Sequence, residues 1–269
     1  MSGTYGFIGL GSQGAPMAHR IVDAGLPLAV WARRAEVLEA YTAKGAHAAA
    51  SVAELGAMCD QVGVCVVNDA DVVQVCDQLI PAMKPGSRIA IHSTVLPETC
   101  AELERRCGPR GIGLVDAPVS GGAHAAEAGT LSVMCGGVRE VFDACQPVFA
   151  TFGRLIVLLG PVGAGQRAKI INNAMLAAHL GIAHGATQAA QALGLDRAAF
   201  NELIAASSGT SFGFGVYARL PEPAAFAIGA PLLVKDVRLL NAILPDAEGA
   251  ETLRASAHDF LHAATGESV

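Results

Sequence analysis

The chain has 269 residues, of which 52% are hydrophobic and 16% are charged, enough to bury the core of one large domain or two modest ones. Its net charge is −6 and its basic residues are scattered, which argues against a nucleic-acid partner. The seven cysteines show no C-x-x-C pair and no metal-ligand spacing, which predicts reduced core thiols, no metal and a cytoplasmic location. The most apolar long stretch, Ala174 to Leu193, is interrupted by His and Gln, so we expect no membrane span.

Short apolar runs bounded by Gly, Pro or Asp alternate with helical segments through the first 160 residues. The predicted strands are Thr4–Gly9, Leu28–Trp31, Val62–Val67, Arg88–His92, Gly113–Asp116, Leu131–Cys135 and Leu155–Leu159. The predicted helices between them are Ala15–Ala24, Ala35–Lys44, Val52–Met58, Val72–Met83, Pro97–Cys107 and Val138–Phe149. This alternation indicates right-handed crossovers and a largely parallel, doubly wound α/β sheet.

A helical pattern without proline then runs from Gly163 to Leu193. A helix of this length reaches roughly 40 Å, and helices this long usually cross a domain boundary. The later segments predict only helices, which are Asp196–Ser207, Pro231–Leu244 and Glu248–Ala264. We therefore predict an α/β domain over residues 1–160, an interdomain helix over 161–193 and an all-α substrate or dimerisation domain over 194–269.

A glycine-rich turn follows the first predicted strand directly and precedes a helix. It reads Gly9-Leu10-Gly11-Ser12-Gln13-Gly14 and matches G-x-G-x-x-G. The first glycine allows the tight turn, the second lets a pyrophosphate approach the backbone, and the third lets helix and strand pack closely. The pattern predicts a Rossmann-type domain whose dinucleotide is bound by Gly9, Gly11, Ser12, Gln13 and Gly14. The alternative is a purely structural glycine turn.

The end of the second predicted strand indicates which dinucleotide is bound. NAD requires an acidic residue there for its ribose hydroxyls, but this chain continues with Arg33 and Arg34 and has no acid before Glu36. Two guanidiniums suit a 2′-phosphate through bidentate hydrogen bonds. Arg33 and Arg34 therefore favour NADP. NAD is the alternative, with both arginines facing solvent.

Three polar residues share one face near the start of the long helix. Lys169, Asn172 and Asn173 have i, i+3 and i+4 spacing, which brings their side chains together. A lysine so placed fits a general acid/base. By itself the pattern fits equally a solvated lysine beside two surface asparagines.

Six motifs occur in order along nearly the whole chain, and together they resemble the β-hydroxyacid dehydrogenase family. That family includes 3-hydroxyisobutyrate dehydrogenases, tartronate semialdehyde reductases and glyoxylate/succinic semialdehyde reductases. The motifs are Gly6–Gly11 through Pro16-Met17-Ala18, His92-Ser93-Thr94 with Pro97, Asp116–Gly122, Gly129-Thr130-Leu131, Gly163-Ala164-Gly165 through Lys169 to Asn173, and Lys235-Asp236.

The resemblance implies a role for each matching residue. Lys169 would be the catalytic lysine, and Asn173 would help to hold the substrate. Ser120, Gly121 and Gly122 would bind the substrate carboxylate through a hydroxyl and backbone amides. Further cofactor-binding positions would be Val67, Asn68, Thr94 and Lys235. The alternatives are a structural loop role for Ser120, a backbone hydrogen bond for Thr94, and an ion pair of Lys235 with Asp236 or Glu248.

The implied activity is NADP-dependent interconversion of a small hydroxy acid, such as a 3-hydroxy acid, and its aldehyde or semialdehyde. The partner would be a small carboxylate-bearing aldehyde or hydroxy acid, and the protein would assemble as a homodimer or homotetramer. Two other functions stay open. Imine reductases share the architecture but usually carry Asp or Tyr at the position of Lys169, and a non-catalytic NADP-binding sensor or scaffold would need no such lysine.

Two further features stay ambiguous in the sequence. Many members of the family carry Asp where this chain has His92, and we expect a hydrogen-bonded histidine at the end of a strand rather than a catalytic one. The aromatic residues of the segment 208–217 fit either a wall of the substrate pocket or the core, and they are Phe212, Phe214 and Tyr217.

Overall fold

The computed structural model describes residues 3–269, and nine strands within that range form one sheet. The strands are β1 (Tyr5–Ile8), β2 (Leu28–Trp31), β3 (His47–Ala48), β4 (Gln61–Val64), β5 (Arg88–Ile91), β6 (Gly113–Asp116), β7 (Val119–Ser120), β8 (Leu131–Gly137) and β9 (Gly153–Gly160). The α-helices are α1 (Gly14–Asp23), α2 (Glu39–Thr42), α3 (Val52–Met58), α4 (Asp69–Ala82), α5 (Pro97–Cys107), α6 (Gly122–Glu127), α7 (Arg139–Phe149), α8 (Ala164–Ala192), α9 (Arg197–Ala205), α10 (Phe212–Tyr217), α11 (Gly229–Ile243) and α12 (Glu248–Thr265).

The sheet is doubly wound around β1. Its order begins β3-β2-β1-β4-β5-β6, and all these neighbours are parallel. The chain moves from β1 to β2 and β3 on one side and returns to β4 on the other. Ligands of such sheets bind outside the carboxyl ends of the strands at this reversal.

The other end of the sheet is mixed. Strand β8 runs antiparallel to both β6 and β7, and β9 lies parallel to β8. Because β6 and β7 pair with successive parts of the same side of β8, β7 extends beyond the carboxyl end of β6. The loop that follows β7 therefore belongs to the same edge of the sheet as the turn after β1.

The central parallel strands β1 and β4 are buried on both faces, as expected for apolar strands covered by helices on each side, whereas both residues of β3 at the edge of the sheet are exposed. Successive residues of β1 point to opposite faces. Phe7 joins a cluster with Met17 of α1 and Phe149 of α7, while Ile8 joins one with Leu55 of α3 and Leu79 of α4. The α/β fold with a largely parallel sheet, predicted from the alternation of elements, is confirmed.

The chain divides into one compact unit that extends through Lys169 and another from Ile170 to Val269. The second unit is helical, and its core is built from the later part of α8 together with α10, α11 and α12. The division into 1–160, 161–193 and 194–269 stays a prediction. Within the described residues, no helix is both long enough and apolar enough to pass through a bilayer.

Several short elements were not predicted. Strands β3 and β7 have two residues each, too few to show a period, and α6 and α10 have six residues each. The predicted helix Ala35–Lys44 is a 3₁₀ turn over Ala35–Leu38 followed by the short α2. The aromatic segment also divides, because Phe214 and Tyr217 belong to the helical core and Phe212 is exposed.

Candidate functional site

The glycine turn after β1 has the steric properties that a dinucleotide site requires. Gly9 has a φ of +99°, and a Cβ atom there would lie 2.0 Å from the carbonyl oxygen of Cys65. A Cβ atom at Gly14 would lie 2.0 Å from the oxygen of Gly9. At Gly11 a Cβ atom would meet nothing within 4 Å. Gly9 and Gly14 are therefore needed for chain packing, whereas Gly11 leaves open backbone that a ligand can approach.

The first turn of α1 is suited to an anion. The helix begins at Gly14, its first turn contains no acidic residue, and Gln13 at the N-cap makes no capping bond with its side chain. Ser12 is exposed beside it. The amides at a helix N-terminus carry partial positive charge, so this turn presents donors to a phosphate.

A cleft of about 610 Å³ lies at the carboxyl ends of β1, β2 and β4. Its walls come from the glycine turn, the ends of β2 and β4 and one face of α4, and they include Gly9, Gly11, Trp31, Arg33, Arg34, Val66, Val67 and Asp71. Both arginine side chains are exposed, and the Arg33 guanidinium lies 3.9 Å from the Asp71 carboxylate. The open glycine, the amides of α1 and two accessible guanidiniums fit a phosphorylated dinucleotide.

Val67 and Asn68, two of the cofactor-binding positions implied by the resemblance, have different environments. Strand β4 ends at Val64, three residues earlier than predicted, and Val67 is exposed in the wall of the cleft. Asn68 is the N-cap of α4, and its side-chain oxygen accepts a hydrogen bond of 2.9 Å from the amide of Asp71. The side chain of Asn68 therefore has a structural contact whether or not it also touches a cofactor.

The loop after β7 contains two glycines in conformations that other residues rarely adopt. Gly121 has a φ of +131° and Gly122 a φ of +71°. Both glycines are exposed, and Ser120 before them pairs with Ser132 of β8. Ser120, Gly121 and Gly122, the residues that the resemblance assigns to a substrate carboxylate, thus follow one another beyond the carboxyl end of β6. Thr94 lies half-buried after β5, at the same edge of the sheet.

The start of α8 is held by a buried carboxylate at the end of β6. Asp116 accepts hydrogen bonds of 2.7 Å from the amide of Gly163 and 2.8 Å from the amide of Gln166. Burial raises the pKa of Asp116 to about 6, while these amide bonds oppose the rise. Lys169 follows in the second turn of α8, and only 9% of its surface is exposed. Gln166 was not singled out from the sequence.

Asn173 lies in a polar network of the helical unit. It is 9% exposed, its amide nitrogen donates to the Asp236 carboxylate at 2.5 Å, and its oxygen accepts from Asn172 at 3.0 Å. The Lys235 ammonium lies 3.3 Å from the other oxygen of Asp236. Lys235 therefore forms one of the ion pairs that the sequence left open. The sequence named Asp236 as part of a motif and as an alternative ion-pair partner of Lys235, and the structure shows that its carboxylate contacts both Asn173 and Lys235.

His92, which departs from the family pattern, is a buried core residue. Its Nδ1 donates to the carbonyl oxygen of Ala117 at 2.8 Å, and its ring stacks on Phe7. Burial lowers the pKa of His92 to about 4, so the ring is neutral near pH 7. The hydrogen-bonded strand-end histidine expected from the sequence is what the structure contains.

Residues 4–160 match the family described as the NAD binding domain of 6-phosphogluconate dehydrogenase. Residues 163–268 match the family described as NAD-binding of NADP-dependent 3-hydroxyisobutyrate dehydrogenase. The 2-(hydroxymethyl)glutarate dehydrogenase of Eubacterium barkeri is 34% identical over 210 residues, which cover 77% of this chain and 70% of that protein.

Two further proteins are similar over most of their length. The NAD-dependent L-serine dehydrogenase of Pseudomonas aeruginosa is 35% identical over 214 residues, which cover 78% of this chain and 72% of that protein. The structure of Mycobacterium tuberculosis 3-hydroxyisobutyrate dehydrogenase with L-serine has a TM-score of 0.84 and 27% identity, and the match covers 96% of this chain and 92% of that one.

Proposed function

Since this chain belongs to the β-hydroxyacid dehydrogenase family, we propose that it interconverts a small hydroxy acid, such as a 3-hydroxy acid, with its aldehyde or semialdehyde. Membership makes the protein an NAD(P)-dependent oxidoreductase that acts on CH–OH groups. The observation that carries the proposal is the match of both halves of the chain to dehydrogenase families. The cleft at the glycine turn supports it with a place for the cofactor.

NADP is the cofactor we propose. The support is the pair of exposed guanidiniums, Arg33 and Arg34, in a cleft whose β2 edge has no carboxylate. A 2′-phosphate gains charge-assisted hydrogen bonds from such a pair, whereas a 2′-hydroxyl prefers an acidic partner. The serine dehydrogenase relative is named as NAD-dependent. Relatives of this chain therefore do not all share one coenzyme, and its preference for NADP over NAD has to be measured on this chain itself.

Lys169 is the residue we propose for proton transfer. The nicotinamide, when bound, exchanges a hydride equivalent with the substrate carbon. As a carbonyl is reduced, negative charge grows on its oxygen, and the Lys169 ammonium stabilises that charge and donates the proton. In the oxidising direction neutral Lys169 accepts the alcohol proton. The burial of Lys169 supports this role, because a charge shielded from water acts more strongly on its neighbour.

The remaining polar groups orient the substrate in this proposal. The Ser120 hydroxyl and the amides of Gly121 and Gly122 bind the carboxylate, and Asn173 holds the reacting end. Thr94 and Lys235 contact the cofactor. The homodimer or homotetramer and the cytoplasmic location stay predictions from the sequence.

Replacement of the lysine tests the mechanism. We expect Lys169→Ala to lower kcat by about 10²–10⁴-fold, the usual contribution of a positioned acid/base. NADPH should still bind, and the single tryptophan of the chain, Trp31, lies in the cleft wall and reports this by fluorescence. The exposed Lys84→Ala is the matched control and should keep the wild-type rate. A normal kcat in Lys169→Ala would remove Lys169 from the mechanism.

A substrate screen tests the reaction class. NADPH oxidation should be measured with glyoxylate and with succinic, methylmalonic and tartronic semialdehydes, and with cyclic imines as the contrasting set. We expect turnover of at least one aldehyde acid. Turnover of imines alone would replace the proposal with the imine reductase alternative, and NADPH binding without any turnover would favour the sensor.

A further inference from the structure

Gln166 has a buried side chain that joins α8 to the loop after β5. None of its surface is exposed, and it lies one helical turn before Lys169. Its Nε2 donates to the carbonyl oxygen of Ser93 at 2.8 Å, and its Oε1 accepts from the amide of Val95 at 3.1 Å. These two bonds hold the backbone on both sides of Thr94. One amide group thus uses its donor and its acceptor on adjoining peptide units.

The same residue is held on its main-chain side. Its amide donates to Asp116 at 2.8 Å, and Asp116 also accepts from the amide of Gly163 at 2.7 Å. The first turn of α8 is therefore fixed to the loop after β5 through the side chain of Gln166 and to the end of β6 through Asp116. Because hydrogen bonds join this turn to two separate segments of the sheet domain, the turn has little freedom to rotate about the helix axis or to shift along it.

The hydrogen bonds continue to the wall of the cofactor cleft. The Ser93 hydroxyl accepts from the amide of Val66 at 2.8 Å, and Val66 lines the cleft after β4. A series of hydrogen bonds thus runs from the cleft wall through Ser93 and Gln166 to the turn that precedes Lys169, and all of them are buried except the bond from Val66, which is partly buried. Buried polar groups that are fully paired fix a single arrangement, because each broken bond leaves a desolvated group unpaired.

We propose that Gln166 is a positioning residue for the reaction, which sets the position of Lys169 relative to the Thr94 loop and the cofactor cleft. This inference rests on the role proposed for Lys169. Rates of oriented reactions are sensitive to such placement, and a shift of about 1 Å costs up to roughly 10²-fold. A residue that only stabilised the fold would change the melting temperature and leave kcat of the folded enzyme unchanged.

Two substitutions at Gln166 separate these roles in the full-length protein. Gln166→Met keeps the length of the side chain and removes both bonds, and Gln166→Glu keeps an acceptor for Val95 but loses the donor to Ser93. We expect kcat to fall by about 10- to 100-fold, in line with a displacement of about 1 Å or less, while the Kd of NADPH from Trp31 fluorescence stays within about 2-fold. Gln188→Met, the same change at an exposed position of α8, should match the wild type.

Acetylation of Lys169 by acetic anhydride, followed by peptide mass spectrometry, gives a readout that does not need turnover. The buried Lys169 of the wild type should react slowly, and it should react faster in both Gln166 variants. If kcat in the folded variants equals that of the wild type, the proposal fails while the proposed function stands. If the wild type turns over no substrate, the proposed function fails. In that case, equal labelling rates of Lys169 in the wild type and in the Gln166 variants would overturn the positioning role as well. If neither variant folds, Gln166 is structural and the proposal fails.

Discussion

At the scale of single residues, we propose that two arginine side chains of one cleft decide the choice between NADP and NAD. Arg33 lies 3.9 Å from Asp71, and three quarters of its side chain is exposed. An ion pair that exposed contributes little, about 0–1 kcal/mol, so Arg33 can turn to a phosphate at small cost. The first acidic residue after Arg34 in the sequence is Glu36. Both side chains line the same cleft.

We therefore expect Arg33→Ala combined with Arg34→Ala to raise the KM of NADPH by at least about 10-fold, since a hydrogen bond to a charged group contributes about 1.5–3 kcal/mol. The KM of NADH should change much less, because NADH carries no 2′-phosphate. Steady-state kinetics with both coenzymes measures the difference, and the exposed Arg105→Ala serves as the control. Equal increases for the two coenzymes would show that the arginines do not bind the 2′-phosphate.

At the scale of elements, α8 and α12 pack closely in the helical unit. A Cβ atom at Gly181 would lie 1.7 Å from the backbone oxygen of Ser256 on α12, so no side chain fits there without separating the helices. Gly185, one turn later on α8, would place a Cβ atom in open space. The same substitution at two glycines of one helix should therefore have opposite effects.

We expect Gly181→Ala to lower the free energy of unfolding by about 1–3 kcal/mol, the usual cost of overpacking. Gly185→Ala should raise it by about 0.5–1 kcal/mol, because alanine loses less backbone entropy in a helix. Urea denaturation of both variants measures the two changes. A stabilised Gly181→Ala protein would mean that α8 and α12 do not approach this closely in solution.

At the scale of the whole molecule, two buried groups give opposite contributions to acid stability. The pKa of His92 is lowered by burial to about 4, so its contribution to stability is fully present above the ordinary value of 6.5 and is lost as the pH falls toward 4. The pKa of Asp116 is raised by burial to about 6 from 3.8, so its contribution grows as the pH falls through the same range. The two contributions partly cancel between pH 6 and 4.

Replacement of His92 isolates its contribution. His92→Phe keeps an aromatic ring beside Phe7 and removes the titrating group, so the variant should lose less stability than the wild type between pH 6.5 and 4. The difference should be on the order of 3 kcal/mol, because burial lowers the pKa of His92 from 6.5 to about 4. Urea unfolding at several pH values measures it. Parallel pH profiles of the two proteins would contradict a neutral, buried His92.

Much of the fold followed from local patterns. Strands β2 and β6 and helices α3 and α5 have the predicted bounds, and the length of α8 was evident from its uninterrupted helical spacing. The glycine turn was recognisable because its three glycines occur at fixed spacing between a strand and a helix. Elements of two residues, such as β3 and β7, show no period and exist only because a neighbouring strand pairs with them.

The sequence by itself determined the residue types of the candidate site, from the glycine turn and the two arginines to Lys169 and its neighbouring asparagines. Only the tertiary structure showed that Gln166 holds the loop around Thr94, that Asp116 holds the start of α8, and that Asp236 binds Asn173. The partners of these bonds lie between 47 and 73 residues apart in the chain. Spacing reveals which side chains share a helix face, because that depends on neighbours in sequence. The partner of a buried amide or carboxylate depends on which distant segments the sheet and the helix packing bring together.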